Sequence, residues 1–294
     1  MVNEKVARKK AAVIGGDARQ LVIAEKLCEI GAEVYLCGFD QLNMTEPGYR
    51  KAKIDEIPFN SVDAVIFPVS GISSSGEIKS SFSAENLAID HEQLDQLHEE
   101  CLIFSGIRTP WTERSNKQFV YLFEEDAIAI SNSIPTAEGI LWLLIQHTDY
   151  TIHGSDIVIT GGGRVGLTLA RVLHSLGANV TALSSVKSEI ARLKEIGVNG
   201  KHLKDLNRYI AEADIWVNTI PSDTIINENA MSACKPGIFL IELASDPSIE
   251  QRRIAGRMNL QYMEAPSLPG MVAPKTAGEI LAAAILDLVI EKGG

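Results

Sequence analysis

The sequence predicts an α/β protein of two doubly wound parallel-sheet domains joined by a long interdomain helix. Three observations carry this expectation. Short apolar runs alternate with segments of helical periodicity in both halves of the chain. Each half opens on an apolar run that ends in glycines and passes directly into a helical pattern. The length, 294 residues, suits two domains of ordinary size, each able to bury a core.

In the first half Ala11–Ile14 reads as a strand ending at Gly15-Gly16, and Leu21–Ile30 as a helix stopped by Gly31. Glu33–Cys37, Asp63–Val69 and Cys101–Phe104 read as further strands, with the serine-rich stretch Gly71–Gly76 as a loop. Pro135 and Thr136 precede the apolar run Ile140–Ile145, so Thr136 is expected to cap a helix that crosses between domains. In the second half Asp156–Thr160, Asn179–Leu183, Asp214–Asn218 and Ile238–Leu243 read as strands, with a helix to about Leu176 stopped by Gly177. Thr276–Ile290 has the spacing of a buried final helix, expected to return to the first domain. The domains are therefore placed at 1–148 with 276–294, and at 149–275.

Composition narrows the function. A net charge of −11 argues against nonspecific binding to nucleic acid or to acidic membrane surfaces. The four cysteines lack CxxC or zinc-finger spacing and read as buried, reduced thiols; no metal site is expected. The N-terminus has charges but no apolar signal segment, and no uninterrupted apolar run reaches membrane-spanning length. A cytoplasmic location is the expectation.

The strongest chemical signal is IVITGGGRVG, a strand, a GxGxxG turn and a helix in succession. In this Rossmann-like pattern Gly161 permits the tight turn, Gly163 lets a pyrophosphate approach, and Gly166 lets helix and strand pack closely. Arg164 and Val165 contribute N–H groups of the helix start, where the dipole favours phosphate. The ribose 2′ position is read about twenty residues further on, usually by Asp or Glu in NAD sites. Here Ser184, Ser185 and Lys187 stand there, with no carboxylate before Glu189. Two hydroxyls and an ammonium suit a 2′-phosphate, so NADP is expected. Thr219 and Pro221, after the Asp214–Asn218 strand, are expected beside the nicotinamide.

The first-half turn Gly15-Gly16-Asp17-Ala18-Arg19-Gln20 lacks GxGxxG spacing, and Asp17 suits a pyrophosphate poorly. A substrate-facing turn is the better reading, with Arg19 able to receive a carboxylate in bidentate fashion.

VIGGDARQ, GFDQL, IDEIPF, IFSGI, NSIPTAEG, QHTDYTIHGS, NTIPS and LPGMVAPKTAG, spread from Val13 to Leu281, together resemble the dipicolinate synthase A-subunit family of spore-forming bacteria. The resemblance implies a dehydrogenase Rossmann domain in the second half and NADP-linked oxidation of dihydrodipicolinate to pyridine-2,6-dicarboxylate during spore formation. It also implies a partner, the flavoprotein-like B-subunit of dipicolinate synthase. Family members can carry a basic residue at the end of the second strand of this domain; Leu183-Ser184-Ser185 lacks it, which leaves Lys187 to supply charge. A dicarboxylate needs two anchors, and Arg19, Arg108 and Lys275 lie within or beside the family blocks. His147 and His153 flank Asp149 and are the candidate base with an orienting carboxylate. Two other readings share the generic features: an NADP-dependent dehydrogenase of another small carboxylate, and a nucleotide-sensing subunit without turnover. The sequence leaves self-association open, and a homo-oligomer is compatible with it.

Overall fold

The computed structural model describes residues 9–43, 48–221, 224–243, 249–258, 260–265 and 267–291. In chain order the first part comprises β1 (Lys10–Ile14), α1 (Ala18–Glu29), β2 (Glu33–Cys37), β3 (Tyr49–Lys51), β4 (Ala64–Ile66), β5 (Glu77–Ile78), β6 (Leu87–Ala88), α2 (His91–Asp95), β7 (Leu102–Ser105), α3 (Pro110–Glu113) and β8 (Phe119–Tyr121). The long α4 (Asp126–His147) follows. After it come β9 (Asp156–Thr160), α5 (Arg164–Ser175), β10 (Asn179–Ser184), α6 (Lys187–Glu195), β11 (Asn199–His202), α7 (Leu206–Ile210), β12 (Ile215–Asn218), α8 (Glu228–Ala233) and β13 (Phe239–Glu242). The chain closes with α9 (Ile249–Arg257), β14 (Gln261–Glu264), α10 (Leu268–Val272) and α11 (Pro274–Glu291).

Contacts divide the chain into 1–131 with 273–294, and 132–272. Each unit holds a parallel six-stranded sheet, in the orders β3-β2-β1-β4-β7-β8 and β11-β10-β9-β12-β13-β14. Counted within its own sheet, each runs 3-2-1-4-5-6, the doubly wound Rossmann order. The central strands are apolar up to their last residues, as sheets covered on both faces require, and β4, β7, β12 and β13 are buried along their whole length. One core cluster lies on each face of each sheet.

One helix departs from the sequence expectation. Helix α4 begins at Asp126, ten residues before Thr136, and passes through Pro135. Thr136 therefore caps nothing; its hydroxyl donates to the Asn132 carbonyl at 2.8 Å, four residues back within the helix. Packing overrides the proline: Ile128 lies in a core of the first unit, and Ala137, Ile140, Leu143 and Leu144 lie in a core of the second. By length and composition α4 would also suit a membrane, but those four residues are buried in protein. Helix α11 packs on α1 so closely that a Cβ at Gly278 would stand 2.6 Å from Val22 Cβ and 2.9 Å from the Arg19 carbonyl oxygen. Lys275 consequently belongs to the same unit as Arg19, whereas the sequence reading places it in the second domain.

Candidate functional site

In a doubly wound sheet the binding crevice lies at the carboxyl ends of the two strands where the order reverses. These are β1 and β4 in the first unit, β9 and β12 in the second. The two crevices are built differently. In the first, Ile78–Ser81 fills the space over the turn: Gly16 N–H donates to the Lys79 carbonyl and Ser81 N–H to the Gly16 carbonyl, both at 2.8 Å. A Cβ on Gly15 would strike Ile78 at 2.5 Å. The start of α1 is capped by its own residues: Asp17 accepts from Arg19 N–H at 3.0 Å, and Gln20 Oε1 accepts from Asp17 N–H at 2.9 Å. A pyrophosphate has neither room nor donors there.

In the second unit the corresponding turn is open. Gly161 has φ +109°, a region that favours glycine, and its Cβ would stand 2.2 Å from Thr219 Oγ1. A Cβ at Gly166 would stand 2.1 Å from the Gly161 carbonyl oxygen, so α5 crosses the turn at a distance only glycine permits. Gly163 is different. It caps α5 with no side-chain acceptor, and among the described residues a Cβ there would meet only Glu189 Oε1, at 3.8 Å. A vacant approach over a helix start fits the pyrophosphate of a nicotinamide dinucleotide. Arg164 is exposed at the first helical position, with Val165, half-buried, beside it.

Thr219 forms the wall between β9 and β12: its hydroxyl and its N–H both donate to the Thr160 carbonyl at 2.9 Å. Pro221 is exposed after it. Beneath this wall lies a buried polar chain that sequence reasoning missed. Trp216 Nε1 donates to Thr160 Oγ1 (3.1 Å), which donates to Asn218 Oδ1 (2.6 Å), while Asn218 Nδ2 donates to both carboxylate oxygens of Glu242 (3.1 and 3.0 Å). All four residues are at most 1% exposed. Their signal was a polar residue closing the apolar run of each of three strands, Thr160, Asn218 and Glu242.

At the ribose end the expected residues divide. Ser184 is buried, and its hydroxyl is engaged: it donates to Glu189 Oε2 at 2.5 Å and accepts from Val186 N–H at 2.9 Å. Ser185 and Lys187 are exposed. The carboxylate of Glu189, in the first turn of α6, folds back to lie 3.0 Å from where a Cβ of Gly162 would be. The expectation of NADP rests on the lack of a fixed anion before Glu189, and the fold brings the Glu189 carboxylate against the glycine turn.

The histidines lie at the wrong edge for catalysis. His147 ends α4 against Phe239, the first residue of β13, and its carbonyl accepts from Gln261 at the start of β14. His153 precedes β9 and packs on Gly177, where a Cβ would stand 2.4 Å from its ring. Together with exposed Asp149 they sit at the amino ends of the strands, a full strand length from the glycine turn. His147, Asp149 and His153, the expected base and its orienting carboxylate, are thus placed at the opposite edge of the sheet from the glycine turn. The thiols are poor nucleophiles too: burial pushes Cys37 up to about 12 and Cys234 up to about 11.

The expected anchors also change character. Arg19 is buried, and Asp17 takes its bidentate edge, Nε to Oδ1 at 2.9 Å and the second nitrogen to Oδ2 at 2.6 Å. It cannot offer that same edge to a substrate. Arg108 is likewise held bidentately by Glu124, at 2.9 and 3.1 Å, and lies over the Tyr121 ring. Lys275 stands exposed in the first turn of α11, and no ion pair to it occurs among the described residues.

The Asp17–Arg19 pair carries a stability prediction. Burial alone would raise the Asp17 carboxyl, but the hydrogen bonds and charge of Arg19 outweigh it and hold it below its ordinary value. A lowered folded-state value stabilises above the ordinary carboxylate range, and that contribution disappears as pH falls through the lowered value. Arg19→Met is expected to cost about 2 kcal/mol at neutral pH and less near pH 3. Urea midpoints for both proteins at the two pH values check this, and an equal difference at both would contradict it.

Comparison with known proteins covers both units. Residues 10–122 match the family of dipicolinate synthase A-subunit N-terminal domains. Residues 137–264 match the NAD binding domain of the D-isomer specific 2-hydroxyacid dehydrogenases. Over 286 residues the sequence is 44% identical to the dipicolinate synthase A-subunit of Bacillus subtilis, covering 96% of each chain. The crystal structure of the dipicolinate synthase A-subunit from Bacillus halodurans superposes with a TM-score of 0.88 at 38% identity, covering 96% of this chain and 97% of that one. The Bacillus subtilis structure gives 0.85 at 44% identity, covering 97% and 96%.

Proposed function

The chain belongs to the dipicolinate synthase A-subunit family, and from that premise we propose that it oxidises dihydrodipicolinate to dipicolinate with a nicotinamide dinucleotide held by its second unit. The observation that carries this reading is the conjunction of 44% identity across both units with one vacant glycine turn at a helix start. The reaction removes a hydride and a proton from the dihydropyridine ring. A bound nicotinamide would supply the hydride acceptor and water the proton acceptor, leaving the ring aromatic. Because aromaticity supplies most of the driving force, a strong protein base is not required. The chain's own work is then to orient cofactor and substrate.

Within the first unit, Lys275 is the anchor we assign to a substrate carboxylate. Its ammonium and the N-terminal dipole of α11 act in the same direction on an anion. That the relatives are A-subunits supports a second polypeptide, the B-subunit, working with this chain.

Absorbance at 340 nm, with purified protein, cofactor and enzymatically generated dihydrodipicolinate, tests the activity with and without the B-subunit. Lys275→Met is expected to weaken dipicolinate binding by about ten- to a hundredfold, the worth of one charge-assisted hydrogen bond, with nucleotide affinity unchanged. No absorbance change in either arrangement would refute the proposed reaction. Unaltered dipicolinate binding by the variant would remove Lys275 from the site.

A further inference from the structure

We infer that Glu189 makes this chain select NAD over NADP; the inference rests on the second unit being the cofactor-binding one. Four observations support it. The carboxylate lies against the glycine turn, its Oε2 3.0 Å from a Cβ position on Gly162 and its Oε1 3.8 Å from one on Gly163. It is held in place: Ser184, the last residue of β10, donates to Oε2, and the same hydroxyl is fixed by Val186 N–H. No cation pairs with it among the described residues, so its charge is not cancelled locally. The start of α6 favours that negative charge through its dipole.

In a βαβ nucleotide site the adenosine ribose lies beside the end of the second strand, where an acidic side chain accepts from its hydroxyls. Here β10 ends in serine, and the acid arrives from the following helix, five residues later. The function is the same because the carboxylate, not its position in the sequence, meets the ribose. A 2′-phosphate would bring about two negative charges against an anion already tied to Ser184. The groups that favoured a phosphate are weaker than their spacing implied. Ser184 spends its proton on Glu189, and Lys187, two residues from Glu189, does not face the same way on the helix.

Isothermal titration with NAD and with NADP tests this in the absence of any substrate. The parent protein is expected to bind NAD at least about tenfold more tightly. Glu189→Gln should weaken NAD and strengthen NADP, so that their ratio falls by about ten- to a hundredfold. Ser184→Ala, which releases the carboxylate without removing it, should lower the ratio by less. Thermal melts establish that each variant is folded. Equal affinities in the parent, tighter NADP binding, or a ratio that Glu189→Gln leaves unchanged would overturn the inference while leaving the cofactor reading intact. Binding of neither nucleotide by the parent would overturn the cofactor reading itself, and the selection with it.

Discussion

Gly163→Val is expected to lower dinucleotide affinity at least about a hundredfold, or roughly 2.7 kcal/mol, while the second unit stays folded. The two halves of that expectation have separate causes. Gly163 has φ −76°, which any residue adopts, and among the described residues its Cβ would meet no atom closer than 3.8 Å. Exchanging glycine for valine at a helix N-cap therefore costs only about 1 kcal/mol of stability. The space that the protein leaves vacant is the space a pyrophosphate needs to reach the first N–H groups of α5, and two methyl groups would fill it. Gly166→Val provides the contrast. Its Cβ would lie 2.1 Å from the Gly161 carbonyl oxygen, so the turn itself must move, at a cost of about 1–3 kcal/mol or more. Calorimetric titration beside thermal melts separates the two: Gly163→Val should lose binding and keep its melt, whereas Gly166→Val should lose both. A Gly163→Val protein that binds nucleotide like the parent would mean that the phosphates lie elsewhere.

The parts of the fold legible in the sequence were those with strong local signals. Glu33–Cys37 and Asp156–Thr160 are strands with the bounds expected, because each is a largely apolar run that ends at a glycine turn. Within the two six-stranded sheets, the strands that escaped notice, β3, β8, β11 and β14, are all short strands on the outer sides; the two-residue strands β5 and β6 escaped it as well. Tyr49–Lys51 and Asn199–His202 carry too few apolar residues to stand out, and long-range pairing makes them strands. Helix α4 was hidden by Pro135, whose cost is outweighed by the apolar residues on either side of it.

The candidate site shows the same limit. The spacing Gly161–Gly163–Gly166 is a local signal, and each glycine has a distinct steric reason in the fold. Glu189 was visible as a residue but not as a neighbour of Gly162, because only the turn from β10 into α6 brings them together. His147, Asp149 and His153 are close in sequence and so invited a catalytic reading. Which end of a strand a residue occupies decides whether it can reach a cofactor, and they occupy the amino end. Arg19 likewise gave no sign that Asp17, two residues away, would claim its guanidinium.

The chain of buried polar groups under the turn leads to an effect of similar size. Asn218→Asp changes one amide to a carboxyl of the same shape, yet it is expected to destabilise the protein by about 3 kcal/mol or more at pH 7. Asn218 donates through one nitrogen to both oxygens of Glu242 and to the Ile220 carbonyl, and accepts through its oxygen from Thr160 and from Ile220 N–H. The amide thus satisfies donors on one side and a carboxylate on the other. A second carboxylate keeps the acceptor side and turns the donor side against Glu242, where water does not reach. Two carboxyl groups in such contact cannot both ionise, so one keeps its proton and its folded-state pKa rises above the unfolded value. The penalty is consequently absent where both groups are protonated in either state, below about pH 4, and grows as pH rises towards the raised value. Urea unfolding of parent and variant between pH 4 and pH 8 should show a stability difference that widens steadily with pH. A constant difference across that range would mean that Glu242 already carries a proton in the parent. The chain joining β9, β12 and β13 would then be held by neutral hydrogen bonds alone.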